Sequence, residues 1–435
     1  MAIIPQQRLF GWEEIEKLGD LERLRLAVEY MPDEDLMRKL EEIRNNGRDD
    51  YPVRATWNSV LAGVVFQHPS VEHLRRELDR NGQLRYMCGL DSVPTSSAYS
   101  RFLYSLLQNP EDVDAIFYKL VDEIKEVLPD FGKILAIDGK AIQTHARPKK
   151  NKDKQCKPDR RRDMDADFGK KEYKGKHKDG TLWEKVVSWF GYKLHLVVDA
   201  LYELPVAFKV TAASKSEMPQ AHKLVDKIQE KHTALLEDCE YFLGDKGYDD
   251  GKLIRRLWDD HRIKPIIDIR NVWKDGEETK LVTGRTNIVY DYRGTAYCYC
   301  LESGKKREMA NGGFEKDRET LKYRCPAVHY GIECKSKDSC SVRSCIRIPL
   351  CEDRRVFTPV SRSSYKWERL YKIRPAVERV NSRLDVSFGF EHHFVRGLGK
   401  MKLKCTLAFS VMLAMALGRI KENKQDKMRS LVKSA

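Results

Sequence analysis

The stretch "KILAIDGKAIQT", residues 133–144, marks the point at which the chain changes character. Four apolar residues, Ile134 to Ile137, run directly into Asp138, a pattern typical of a buried strand that ends at an acid. Before this stretch, residues 13–108 repeat apolar side chains at steps of three and four, which predicts helices. The sequence therefore predicts an all-helical N-terminal domain. Short helices with interspersed Arg resemble a helix-turn-helix module that binds DNA, and the alternative is a helical bundle that does not bind DNA.

Beyond the first strand, predicted strands and helices alternate. "GYKLHLVVDALYELPVAFKVT" (191–211) predicts two strands around a turn, "SEMPQAHKLVDKIQEKH" (216–232) a helix, and "YFLG" (241–244) and "IKPIIDI" (263–269) two more strands. This order predicts an α/β fold with a mixed sheet. Residues 270–355 break the pattern with Gly-rich turns and seven of the eleven cysteines, which indicates an insertion.

These patterns predict four parts of the chain. They are a helical N-terminal domain (1–125), for which DNA binding is one interpretation, an α/β domain (126–269 with 356–422), a Cys-rich insertion (270–355) and a tail (423–435).

Charge points to nucleic acid as a partner. Lys and Arg outnumber Asp and Glu by 80 to 66, for a net charge of +14. The polar stretch 146–180 concentrates basic residues, and we expect Lys149, Lys150, Arg160 and Arg161 to contact DNA phosphates there. The alternative is a solvated loop with no partner.

The N-terminal sequence lacks the basic and apolar regions of a signal peptide. The longest apolar run, residues 405–418, is shorter than the roughly 18 to 20 residues of a membrane span. It therefore predicts a buried core helix, a cytoplasmic protein without a membrane partner, and reduced cysteines.

Three acids from distant segments suit metal-dependent phosphoryl transfer. Asp138 and Asp245 each follow a short apolar strand, and Glu378 lies in "YKIRPAVERVNSRLD" (371–385), just after Pro375 at a predicted helix start. Three carboxylates can hold two Mg²⁺ ions, and Mn²⁺ is the expected substitute. Taken alone, each Asp is better explained as a turn or cap residue, and Glu378 as a surface residue paired with Arg374 or Arg383.

With both Asp segments in order, these residues resemble the DDE transposases of bacterial insertion sequences, in the branch with a Tyr-x2-Arg-x3-Glu-x6-Lys pattern. "YKIRPAVE" supplies Tyr371, Arg374 and Glu378, while "AIDGK" and "LGDKGYDD" resemble the two Asp segments. The resemblance implies a ribonuclease-H-like catalytic fold with an insertion before the Glu helix. It also implies Mg²⁺-dependent cleavage and strand transfer at terminal inverted repeats, with the protein expected to act as a homodimer on paired ends in the bacterial nucleoid.

In this reading Asp138, Asp245 and Glu378 are the catalytic and metal-binding residues, and Tyr371, Arg374, Arg379 and Arg383 contact DNA. The pattern's final Lys falls on Asp385, so its DNA contact must come from elsewhere, with Arg379, Arg383 or Lys400 as candidates.

Four cysteines in the insertion suggest a second metal. Cys325, Cys334, Cys340 and Cys345 are enough for a tetrahedral Zn²⁺ site, although none of their spacings is the Cys-x2-Cys pair. Free thiols are the alternative.

Two other functions fit the same residues. A nuclease of this fold would cut without joining DNA, and a decayed element would only bind it.

Overall fold

The computed structural model describes residues 21–45, 50–148, 162–177 and 179–431. The N-terminal part is helical, as predicted. Its helices are α1 (Leu21–Glu29), α2 (Glu34–Arg44), α3 (Val53–Val65), α4 (Val71–Arg80), α5 (Gly82–Cys88), α6 (Ser96–Gln108) and α7 (Pro110–Val127). Ser70 caps α4 by accepting from His73 N, and Thr95 caps α6 by accepting from Ala98 N.

A six-stranded mixed sheet follows. Its strands are β1 (Ile134–Gln143), β2 (Asp167–Lys176), β3 (Leu182–Asp199), β4 (Leu204–Ala212), β5 (Tyr241–Gly244) and β6 (Lys264–Ile267). β3 pairs antiparallel with β1, β2 and β4, whereas β5 pairs parallel with β1 and β6. The helices α8 (Glu217–Lys231) and α9 (Thr233–Glu237) connect β4 to β5, and α10 (Gly251–Asp259) connects β5 to β6.

The long strand β3 pairs with β2 over its first part and with β1 over its second part. Residues 182–191 pair with β2 in a hairpin, and residues 191–199 pair with β1. Gly191 lies at the junction, where a Cβ atom would be 2.2 Å from the carbonyl oxygen of Ile142. Only glycine allows the backbones to approach so closely at this branch point.

The Cys-rich segment forms small antiparallel sheets. Its elements are β7 (Lys280–Leu281), β8 (Ile288–Tyr290), β9 (Ala296–Tyr299), β10 (Lys306–Glu308), β11 (Ala310–Glu315), β12 (Thr320–Arg324), α11 (Pro326–His329) and β13 (Cys345–Pro349). They pack around their own core, which includes Ile288, Tyr323, Ile348 and Phe357.

Three helices complete the fold: α12 (Tyr365–Tyr371), α13 (Ala376–Phe388) and α14 (Leu398–Lys421). α14 packs against α1, α3, α7 and β4. One continuous core therefore joins the N-terminal helices to the sheet, with Leu24, Phe117, Leu196 and Phe409 among its members.

The prediction of a buried helix over residues 405–418 is confirmed, because every residue of this run is buried. By length and composition α14 is, in the described part of the chain, the one helix that could cross a membrane, and 83% of its apolar window is buried inside the protein. The predicted mixed α/β architecture with a helical N-terminal part is also confirmed.

Candidate active site

Asp138, within β1, and Asp245, directly after β5, lie at neighbouring positions of the fold. The parallel pairing of β1 with β5 ends at Ala136 and Leu243, and each acid lies two residues beyond its member of that pair. β1 does not end at Asp138, contrary to the sequence prediction; it continues to Gln143 because β3 still pairs with it there. The edge at which both acids lie is created by the end of β5.

Burial dominates the chemistry of Asp138. Burial is the largest of the influences that together raise the pKa of this carboxyl to about 6; neighbouring Asp245 contributes to the increase, whereas Lys171 and Arg374 oppose it. Lys171 Nζ also donates to the carbonyl oxygen of Gly139 at 3.1 Å. The site therefore holds two adjacent carboxyl groups, one of them largely removed from water.

Asp245 begins a tight turn over Lys246–Tyr248. Its Oδ1 accepts from Gly247 N at 2.8 Å, and Lys246 Nζ lies 3.5 Å from Asp268 Oδ2. The turn buries Tyr248 completely, and its hydroxyl has no hydrogen-bond partner among the described residues. Burial raises the pKa of Tyr248, and the nearby charges of Glu217, Asp138 and Asp245 raise it further.

Glu378 lies at the rim of this site. It is in the first turn of α13, its carboxylate pairs with Arg374, and its side chain is 52% exposed. One turn later, Asn381 Nδ2 donates to Asp138 Oδ2 at 3.2 Å. α13 is thereby held against β1, and Arg374 pairs with Glu378 and also acts electrostatically on Asp138.

Tyr371 and Arg374 lie together beside the acids. The ring of Tyr371 stacks on Trp367 at 4.6 Å, and the Arg374 guanidinium carbon lies 5.8 Å from the Tyr371 ring centre. Burial raises the pKa of the Tyr371 hydroxyl, and the charges of Asp268 and Asp245 add to this shift.

The other predicted DNA contacts lie elsewhere. Arg379 Nε donates to Glu203 Oε1 at 2.7 Å, and Arg383 Nη1 donates to the Glu203 carbonyl oxygen at 2.8 Å and also pairs with its carboxylate. Both guanidinium groups are thus engaged within the protein, and their role in DNA binding stays a prediction. The remaining predicted contacts, Lys149, Lys150, Arg160 and Arg161, lie outside the described residues.

Two residues near the acids were not singled out from the sequence. Glu217, in the first turn of α8, lies close enough to Gly139 that a Cβ atom there would be 2.8 Å from Glu217 Oε1. Lys140, two residues after Asp138, forms an ion pair with Asp385. For Glu217 the only signal in the sequence was an acid at a predicted helix start, which is too common to select it.

The cysteines do not form the predicted zinc site. Cys298, Cys300, Cys325, Cys334 and Cys340 line one small cavity, and Cys345 is not among its lining residues. Across residues 21–45, 50–148, 162–177 and 179–431, no group of three or more His, Cys, Asp or Glu is placed to hold a metal ion. The Zn²⁺ set Cys325, Cys334, Cys340 and Cys345 is therefore not supported. Asp138, Asp245 and Glu378 are likewise not grouped to hold a metal ion among the described residues, and Glu378 pairs with Arg374 instead.

Comparison with known proteins places the chain in a family. Residues 129–414 match the family model described as "Transposase DDE domain", and residues 12–104 match "Transposase domain (DUF772)". No curated protein matches the chain. Among solved structures, a cryo-EM structure of a piggyBac transposase synaptic complex with hairpin DNA matches at 11% identity, covering 96% of this chain and 86% of that chain. Its TM-score of 0.29 does not establish a shared fold.

The DDE domain match spans the sheet, the insertion, both Asp segments and the helix that carries Glu378. It covers well over half of the chain, and the second match adds most of the N-terminal helices. The chain therefore belongs to the DDE transposase family, and it is an enzyme of DNA transposition.

Proposed function

We propose that this transposase binds the terminal inverted repeats of its insertion sequence and catalyses metal-dependent DNA strand cleavage and strand transfer. The observation that carries the proposal is the position of Asp138 on β1 and of Asp245 directly after the neighbouring β5, with Asn381 of α13 bound to Asp138. The order β4-β3-β1-β5-β6, antiparallel on one side and parallel on the other, supports a ribonuclease-H-like catalytic fold.

The donor set fits a divalent cation. Carboxylate oxygens are the ligands that Mg²⁺ prefers, and the partial burial of Asp138 disfavours its negative charge unless a cation lies close to it. Asp138, Asp245 and Glu378 would hold two Mg²⁺ ions, or Mn²⁺ in their place. When bound, such ions activate the attacking oxygen and stabilise the leaving oxygen of a phosphodiester.

The chain's own residues then position the DNA. Glu378 joins the two Asp only when its ion pair with Arg374 opens. Opening frees the Arg374 guanidinium, which can bind the scissile phosphate through two parallel hydrogen bonds. Tyr371 stacks against Trp367 and keeps Arg374 at the mouth of the site. This exchange of partners couples DNA binding to completion of the catalytic triad.

Basic side chains outside the active site would provide the remaining contacts with DNA. The net charge of +14 favours DNA, and we assign the phosphate grip to the basic stretch 146–178 and to the N-terminal helices. A homodimer on paired ends would hold both ends of the element for joining to a target in the nucleoid.

The decisive test is cleavage of DNA carrying the element's two ends, with Mg²⁺, Mn²⁺ or EDTA. Glu378→Gln should lower the cleavage rate by about 10³-fold or more while DNA binding persists. Glu368→Gln is the matched control. Among the described residues this exposed acid pairs only with Lys372, and it lies on α12, the helix that precedes α13 in the chain. Cleavage by Glu378→Gln at the wild-type rate would remove Glu378 from the triad.

A strand-transfer assay separates the proposed function from a nuclease. Cleaved ends that join to a target plasmid support transposition. Cleaved ends that never join under any metal or DNA condition would favour a nuclease of the same family.

A further inference from the structure

The hairpin of β2 with the first part of β3 leaves apolar side chains in water. Residues 167–176 pair with residues 182–191, and every residue from Leu182 to Ser188 is exposed. Leu182, Val186 and Val187 are among the exposed large apolar residues of the protein. A two-stranded hairpin buries little apolar surface by itself, so exposed apolar side chains along it indicate a surface that binds a partner.

The two faces of this hairpin carry different side chains. Successive residues of a strand point to opposite faces, and residues that pair across the strands share a face. The register therefore places five side chains on one face, here called the tryptophan–lysine face: Lys171, Trp183, Lys185, Val187 and Trp189.

The charges of the hairpin are segregated between these faces. Both acids in the body of its strands, Glu172 and Glu184, lie on the opposite face, where Glu172 pairs with Lys170 at 2.6 Å. Asp167 at the base of the hairpin accepts from Ser214 N at 2.7 Å, and beyond it none of the described strand residues of the tryptophan–lysine face is an acid. This face is therefore positively charged and suits an anionic partner.

Two glycines allow the tryptophan rings to lie flat across the hairpin. A Cβ atom at Gly175 would be 2.4 Å from Cε2 of Trp183, and one at Gly169 would be 2.3 Å from Cζ2 of Trp189. Trp189 is buried, and its Nε1 donates to the carbonyl oxygen of Tyr192 at 3.0 Å, which fixes the base of the hairpin. Trp183 is 40% exposed, so its ring rests on the hairpin with part of its surface in water.

The tryptophan–lysine face begins beside the active site. Lys171 Nζ donates to the carbonyl oxygen of Gly139 at 3.1 Å, and its positive charge acts on Asp138. From Lys171 the face continues through Lys185 to Trp183, which lies four residues beyond the partner of Lys171. At about 3.3 Å per residue, the tryptophan is roughly 13 Å farther along the strand.

A DNA strand with unpaired bases fits this surface. Lysine side chains bind phosphates, and an exposed aromatic ring stacks on a base whose flat surface is not covered by a neighbouring base pair. The strand residues of this face include no Arg, Asn or Gln, the side chains that most often read base edges in the major groove. The surface is therefore suited to stacking and phosphate contact rather than to reading a duplex.

We propose that the tryptophan–lysine face binds the unpaired DNA strand next to the cleavage site, with Lys171 and Lys185 on its phosphates and Trp183 stacked on a base. The inference deepens the proposed function and rests on it, because the strand belongs to the DNA on which the active site acts.

Binding of the full-length protein to element-end DNA that is unpaired at the cleavage site, measured in EDTA by fluorescence anisotropy, tests the stacking. Trp183→Ala should weaken binding by about tenfold, and Trp183→Phe should weaken it less. Leu182→Ala is the matched control, because Leu182 is the neighbouring residue on the opposite face and is 84% exposed. This variant should bind like wild type.

The same DNA with the cleavage site fully paired distinguishes stacking from general affinity. Trp183→Ala should weaken binding to the paired DNA by less than about threefold, because its bases are not open to the ring. Equal losses on the two DNAs would overturn the assignment of Trp183 to an unpaired base.

The salt dependence of binding to the unpaired DNA tests the lysines. Lys185→Gln should reduce the slope of log K against log salt concentration by about 0.7, the value for one phosphate contact on a single strand. Lys170→Gln, on the opposite face and paired with Glu172, should keep the wild-type slope. Equal changes in both variants would contradict binding by one face.

The remaining outcomes separate this inference from the proposed function. Wild-type binding by Trp183→Ala would overturn the role of the hairpin alone, because cleavage by Glu378→Gln tests the catalytic site independently. If a second copy of the chain covers this face, Trp183→Ala would lower the sedimentation mass of the protein without DNA, and the inference would be wrong. The unfolding midpoint of each variant checks that it folds.

Discussion

At the scale of single residues, ion pairs between side chains from different elements determine the arrangement of charges around the site. Asp385 on α13 forms an ion pair with Lys140 on β1. The side chains of Lys140 and Asp385 are 14% and 23% exposed, so their pairing is shielded from water. The pair therefore joins α13 to β1.

This pairing predicts a coupled loss of stability. Asp385→Asn and Lys140→Met should each lower the free energy of unfolding by about 1–3 kcal/mol, because each leaves a shielded charge without its partner. The double variant should lose less than the sum, as measured by urea unfolding in a double-mutant cycle. Strict additivity would show that the pair contributes nothing.

The burial of His195 predicts that the free energy of unfolding decreases at acid pH. It is fully buried in β3, its Nε2 lies 3.0 Å from Thr211 Oγ1, and burial lowers its pKa to about 3. The unfolded chain has a His pKa of about 6.5 and binds the proton first, so stability is complete above that pH and falls below it. The loss approaches about 1.4 kcal/mol per pH unit.

His195→Val should therefore flatten the pH dependence of urea unfolding between pH 7.5 and 5.5, even though it lowers stability at pH 7.5. His393, whose pKa burial lowers to about 4, contributes a slope of the same sign, so the slope is reduced rather than abolished. Exposed His329→Gln should leave the wild-type slope. An unchanged slope in His195→Val would contradict the prediction.

At the scale of elements, α13 is fixed on two sides. Asn381 attaches it to Asp138, and Glu203 at the β3–β4 turn holds Arg379 and Arg383. The Glu203 side chain is 7% exposed and also lies 3.4 Å from Arg429. On this second side, the helix that carries Glu378 is thus held by a single acid, Glu203.

Glu203→Gln should lower the free energy of unfolding by about 2–4 kcal/mol, because it leaves several guanidinium groups without their shared acid. Glu368→Gln, at an exposed pair with Lys372, should cost about 0.5 kcal/mol or less. Urea unfolding of the two variants provides the comparison. Equal costs would mean that Glu203 does not hold α13.

At the scale of the whole molecule, α14 joins the N-terminal helices to the sheet. A Cβ atom at Gly418 would lie 2.6 Å from Tyr30 Cδ2 and 2.7 Å from Leu26 Cδ2. The close contact between α14 and α1 therefore requires glycine at this position.

Two substitutions in α14 should act in opposite directions. Gly418→Ala should lower the free energy of unfolding by about 1–3 kcal/mol, because the added methyl group forces α1 away. At Gly399 the nearest atom to an added Cβ is Leu107 Cδ2 at 3.9 Å, so Gly399→Ala should raise stability by about 0.5–1 kcal/mol. Thermal unfolding measures both, and equal shifts would contradict the packing argument.

Local patterns were enough to predict much of this protein. Periodicity predicted the N-terminal helices and the order of strands, and the apolar run 405–418 predicted the buried helix. Asp138 and Asp245 stood out because each follows an apolar run that had to be a buried strand. These features depend on residues close together in the chain, so the sequence by itself determined them.

Only the tertiary structure decided how distant charges were paired. It turned Glu378 towards Arg374, engaged Arg379 and Arg383 with Glu203, and set Lys140 against Asp385. It also brought Glu217 between the Asp segments. The residues next to a charged side chain in the sequence do not identify its ion-pair partner, because strand register and helix packing across the whole fold determine which partner lies close to it.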